Sequence, residues 1–205
     1  MRQSVTKKLT KKKIKETVLL EIAWEVMNQV GGIYTVIRSK APAVSEKWDD
    51  NYCLIGPYDH KQVVAEFEPI EDQEDSFAQA VKKLKEHGVL VHYGYWLVTG
   101  KPRVVLFDLN SIRHKLGEIK YYLWENHGIS TVNDDALLND VLAFGEMIRL
   151  FITELSNHES REIIAHFHEW MAGTAIPALR KDQVNVKTIF TTHATLLGRY
   201  LAMND

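Results

Sequence analysis

Short unbroken apolar runs alternate along this chain with amphipathic stretches, and the alternation predicts most of its elements. Residues 19–38, LLEIAWEVMNQVGGIYTVIR, read as a buried strand, a loop closed by Gly31 and Gly32, and a helix beginning near Ile33. Asn51–Gly56 (NYCLIG) reads as a second buried strand, punctuated by Gly56 and Pro57. Residues 61–75 are acidic and irregular and predict a surface loop with a short edge strand. In Ser76–His87, Phe77, Ala80, Val81 and Leu84 repeat at the spacing of one helix face, with Ser76 as the expected cap and Gly88 as the stop. Val89–Val98 and Arg103–Phe107 predict neighbouring strands around TGKP, and Asp108 the cap of a short helix. Residues 111–133 follow no clear period and read as a partly buried insert. Apolar positions then define a long helix over 135–157. The last third predicts a strand at 162–167 (EIIAHF), a helix over 168–181, a strand at 186–192 (VKTIFTT) and a helix from Thr195.

Strands alternating with helices indicate parallel β-α-β units, hence an α/β fold with a Rossmann-like, doubly wound parallel sheet. In such sheets ligands bind where strands end and helices begin. Residues 1–15, with six lysines and one arginine, read as a basic, mobile tail ahead of a single domain over 16–205.

Composition narrows the class. With 45% hydrophobic and 25% charged residues among 205, the chain has the balance of a soluble globular protein that buries a substantial core. A net charge of −2 gives no reason to expect nucleic acid as a partner. No apolar run approaches the roughly 18 residues of a membrane span, and no signal peptide is evident, so no membrane partner is expected. Cys53 stands alone, excludes an internal disulfide and points to a reducing, cytoplasmic setting.

Three strand ends then carry candidate chemistry. The first offers Asn28, Gln29, Gly31 and Gly32; the second His166, His168 and Glu169 in HFHEW; the third Thr191, Thr192, His193 and Arg199 in TTHATLLGR. Glycines let backbone approach a ligand, and the N–H groups of a helix start favour phosphate. Imidazoles, a carboxylate and a cation beside such a loop are the ingredients of an active site. Each also has a plainer reading: a permissive turn, a buried neutral histidine, a cap, a surface charge. His166, His168 and His193 are one conceivable zinc set, but HEXXH is missing and no metal is expected. A serine hydrolase lacks its G-x-S-x-G elbow. A dinucleotide oxidoreductase lacks the spaced third glycine.

Taken together, EVMNQVGGIYTVIRSKA, LIGPY, HYGYWLVTGKPRVVLFDL, IIAHFHEWMAGTAIPALRK and TIFTTHATLLGRYL resemble the N-terminal half of eukaryotic-type glycogen synthase, from about Glu16 to the end. The resemblance implies half of a GT-B architecture, in which two Rossmann-like domains face one another across a cleft. It implies transfer of glucose from UDP-glucose or ADP-glucose to the 4-hydroxyl end of an α-1,4-glucan acceptor, with retention and without a required cofactor or metal. By motif, Gly31, Gly32, Gln29 and Arg199 would serve the donor and its phosphates, and His193 and Glu169 the chemistry; His166, His168 and Thr192 would line the cleft. Gln29 departs from the family, where a basic residue is usual, and weaker donor binding is expected from it. The chain ends at Asp205, without the family's C-terminal nucleotide-binding domain, so it is expected to be incomplete as an enzyme. It would be either the first domain of a longer protein, which can be oligomeric, or a non-catalytic glucan-binding or regulatory module that keeps the fold.

Overall fold

The computed structural model describes residues 14–71, 74–131 and 135–194. Its elements are, in order, β1 (Thr17–Ala23), α1 (Gly32–Trp48), β2 (Tyr52–Pro57), α2 (His60–Glu66), β3 (Phe67–Pro69), α3 (Ser76–Glu86), β4 (Val91–Trp96) and β5 (Arg103–Phe107). A 3-10 segment, Leu109–Lys115, then leads into α4 (Leu116–His127), α5 (Ala136–His158), β6 (Glu162–His168), α6 (Glu169–Gly173), α7 (Ile176–Lys181) and β7 (Lys187–Thr191).

The strands form one seven-stranded sheet in the order β3-β4-β5-β2-β1-β6-β7. Only β4 runs against its neighbours; β5, β2, β1, β6 and β7 are mutually parallel. This is the α/β doubly wound sheet that the alternating pattern predicts. From β1 the chain moves outward to β2 and β5, and then returns through α5 to β6 on the other edge of β1. The reversal places a topological switch point between β1 and β6, and in open α/β sheets the crevice lies at the carboxyl ends of such strands.

Alternate residues of the strands feed two cores. On one face Val18, Leu20 and Ile22 pack with Phe144, Ile148, Phe151 and Ile152 of α5 and with Phe77 and Leu84 of α3. On the other Ala23, Leu54 and Leu106 pack with Tyr34 and Ile37 of α1 and with Trp96. Each valine, leucine, isoleucine or phenylalanine among them contributes roughly 1.5–3 kcal/mol by leaving water.

Several local expectations need correction. The stretch expected as loop over 61–75 begins with α2, whose start is fixed by Asp59 accepting from the Lys61 N–H; β3 is the expected edge strand. Asp75, not Ser76, caps α3 by accepting from the Ala78 N–H, while Ser76 Oγ donates to Glu159. The single helix expected over 168–181 is two, because Pro177 lacks the N–H that a continuous helix needs and is tolerated only in the first turn of α7. Within the irregular insert, α4 buries only Leu123, and such a narrow apolar stripe leaves a weak period to read. The helix expected from Thr195 and most of the basic tail lie outside the described residues.

Candidate active site

The site grows from an acid in an apolar strand. In β1, TVLLEIA, Glu21 is only 2% exposed. It stands opposite His166 of β6, with Ala23 opposite His168, so the carboxylate and both imidazoles share one face. That face is covered by α1, which sends Lys40 onto the same carboxylate. Three donors converge on Glu21: His168 Nε2 at 2.6 Å from Oε1, the Lys40 ammonium, and the Tyr52 hydroxyl. Burial, the largest influence, pushes its pKa up, but bonds from His168, Lys40 and Tyr52 outweigh burial and hold it at about 2. Burial also raises the Tyr52 phenol, helped by the neighbouring carboxylate, so Tyr52 stays a donor.

β6 and β7 supply the rest. His168 is 2% exposed, and its Nδ1 lies 2.9 Å from Nε2 of His193, which is exposed just beyond β7. The two rings stack with centroids 5.2 Å apart. His166 sits beside His168 at 4.2 Å between centroids and exchanges a 2.8 Å hydrogen bond with Thr191 Oγ1. Burial chiefly, and then repulsion from His168, lowers the His166 pKa below the ordinary imidazole value, which favours the neutral ring.

Glu169 opens α6 with φ of 63°, a costly conformation for a residue with a Cβ. Its Oε1 accepts from the backbone N–H of His193 and from that of Ala194 at 2.9 Å, with Thr192 Oγ1 at 3.4 Å. Charge-assisted bonds of this kind hold the segment carrying His193 against the end of β6 and offset the backbone strain.

Gly31, Gly32 and Gln29 belong to the segment that leaves the same end of β1, with Gly31 as the N-cap of α1. The N–H groups of Gly31 and Tyr34 both donate to Glu25 Oε2 at 2.9 Å. A carboxylate therefore already occupies part of the helix start that was expected to receive phosphate. At Gly32 an added Cβ would meet nothing within 4 Å, so that side of the turn is open. Trp24 and Asn28, from the segment between β1 and α1, join Tyr58, Asp59, His60 and Asp108 in lining a cleft of about 470 Å³, where Tyr58 stacks on His92 at 4.1 Å.

The structure thus brings His166, His168, Glu169, Thr192 and His193 together; Arg199 lies outside the described residues. Sequence reasoning missed Glu21, Lys40, Tyr52 and Glu25. A charged residue interrupting an apolar strand was the available signal for Glu21; Lys40 and Tyr52 face it only through tertiary packing, while Glu25 reaches the helix start across the loop that joins β1 to α1. Among the described residues one group of potential metal ligands lies within 4.8 Å of one another, and it is Glu21, His166 and His168 instead of the three histidines. The Lys40 ammonium sits on the very oxygen that such an ion would use.

A family model described as glycogen synthase matches residues 21–205, nearly the whole chain. The chain belongs to the glycogen synthase family. Among its relatives, the liver glycogen [starch] synthase of Rattus norvegicus is 45% identical over 189 residues, which cover 92% of this chain and 27% of that protein. The glycogen [starch] synthase of Neurospora crassa is 42% identical over 191 residues, 93% of this chain and 27% of the relative. Isoform 1 of the Saccharomyces cerevisiae glycogen [starch] synthase is 44% identical over 193 residues, 90% of this chain. The chain spans about a quarter (27%) of the length of these glycogen synthases. Among the described residues no helix is long and apolar enough to cross a membrane.

Proposed function

We propose that this chain forms the acceptor-side domain of a glycogen synthase that moves glucose from UDP-glucose or ADP-glucose to the 4-hydroxyl end of an α-1,4-glucan, with retention and without a metal. The carrying observation is the convergence of Glu21, His168, Glu169 and His193 at the carboxyl ends of β1, β6 and β7, beside the topological switch point, in a member of this family. In this reading His193, exposed on a pinned segment, meets the donor glucose and stabilises charge developing at its anomeric carbon. Glu169 holds His193 in place and lines the cleft with His166, His168 and Thr192. The open side of Gly32 lets the donor approach, with Gly31, Gln29 and Arg199 serving its phosphates. The pocket at Trp24, Tyr58 and Asp108, whose lining is distinct from Glu169 and the histidine cluster, suits a glucan acceptor, since rings stack on sugar faces and carboxylates accept from hydroxyls. Lys40 already supplies the cation at Glu21, which supports chemistry without a metal. The nucleotide is held mainly by the rest of the protein, so the 205-residue chain by itself does not turn over donor. A buried, unpaired Cys53 suits a cytoplasmic enzyme.

The test uses the full-length parent enzyme. His193→Ala is expected to lower kcat by about a hundredfold or more, the scale of one lost electrostatic contact in a transition state, with a much smaller change in the KM for donor. Unchanged turnover would remove His193 from the chemistry.

A further inference from the structure

The buried cluster behind His193 constrains where its proton sits. Glu21 is an acceptor only, so the 2.6 Å contact requires the His168 proton on Nε2. The remaining nitrogen of His168, Nδ1, faces His193 Nε2 at 2.9 Å, and one of the two must carry the shared proton. If His168 carried it, the ring would be a cation. Glu21 already has the Lys40 ammonium as its counter-charge, and a second cation at a residue 2% exposed, with the His166 ring 4.2 Å away, would be poorly compensated. The proton therefore belongs to His193.

We propose that Glu21 is a positioning residue that acts through His168: it makes Nδ1 of His168 an acceptor, and this holds His193 with its proton on Nε2 and a bare Nδ1. A bare nitrogen presents a lone pair, so His193 accepts from a sugar hydroxyl or faces a developing positive charge instead of repelling it with an N–H. That use in glucosyl transfer rests on the placement of His193 beside the donor sugar proposed above; the proton position does not.

Long-range proton–nitrogen correlation spectra of the histidine-labelled 205-residue chain, at about pH 8 and so above the ordinary imidazole range, read the proton directly. Expected are Nε2–H and a bare Nδ1 on both His168 and His193. His168→Phe leaves Glu21 with Lys40 and Tyr52 and should move both His193 nitrogen shifts toward those of a tautomer mixture. Glu21→Gln keeps an oxygen for His168 and should largely preserve the pattern. An Nδ1–H on His193, a cationic His168, or His193 shifts unaltered in folded His168→Phe would overturn the proposal; if that variant does not fold, the unsubstituted chain decides. In the parent enzyme His168→Phe should lower kcat about tenfold, the scale of one hydrogen bond. Expected spectra with undiminished kcat would leave the relay standing and remove His193 from the donor site. Reversed tautomers would defeat the relay whatever the kinetics.

Discussion

Glu21 carries a charge where the strand offers none of the water that normally stabilises it, and its ionisation is coupled to folding. Its carboxyl is held at about 2 in the folded chain against an ordinary value of 4.5. Because the folded-state pKa is the lower one, the stabilisation is fully present above about pH 4.5 and is lost as pH falls toward 2. It amounts to something on the order of 3 kcal/mol. Glu159 is depressed to about 2 as well: burial opposes, but bonds from Arg161 and Ser76 win, so its contribution disappears over the same range. Urea unfolding should therefore show a flat midpoint above pH 5 and a falling one below pH 4.5. Glu21→Gln leaves Lys40 without its counter-charge and should cost about 2–4 kcal/mol at neutral pH. Its deficit should shrink as the acid limb is approached; a gap independent of pH would break the assignment. The sequence shows Glu21 plainly as a break in an apolar run, but not what surrounds it. Tyr52 stands 31 positions away and His168 147, and no local pattern joins them.

At the scale of elements, the turn from β1 into α1 decides how the site is presented. Gly56, in β2, faces that turn so closely that an added Cβ would lie 2.7 Å from Val26 Cβ and 2.9 Å from its carbonyl oxygen. Gly56→Ala should push the segment outward and destabilise the chain by about 1–3 kcal/mol in urea titrations. Gly32 is the contrasting case, since a methyl there meets nothing within 4 Å. Gly32→Ala is expected to leave stability unchanged or slightly higher, yet to lower transfer by the parent enzyme, because the methyl enters the open side proposed to admit donor. Full activity in Gly32→Ala would make the glycine pair a turn and nothing more. Legibility at this scale follows period and punctuation. The helices α3 and α5 were readable from their broad apolar faces, although the cap of α3 fell to Asp75 instead of Ser76. α2 was hidden by its short length, and the α6–α7 break lay in Pro177, whose place in a first turn is visible only once the register is known.

For the whole molecule, the parallel core of the sheet, its amphipathic helices over 76–87 and 135–157, and the family were contained in the order of motifs along the chain. The chain accounts for 27% of the length of its relatives, and in the proposed reading the site it builds is one wall of a cleft. That reading gives the nucleotide-binding share of the reaction to the rest of the protein. Calorimetric titration of the 205-residue chain with UDP-glucose and with ADP-glucose should give weak or undetectable binding, and micromolar affinity for either would contradict that division. The sequence by itself determined the strand and helix alternation, the glycine turn and the polar strand ends, because these depend on periodicity and on residues within a few positions of one another. Tertiary structure alone decided that Glu169 grips the backbone bearing His193, and that Glu21, Lys40 and Tyr52 stand behind His168. Those contacts arise from strand register and from the packing of α1 on the sheet, and both bring together residues whose separation along the chain carries no repeating signal.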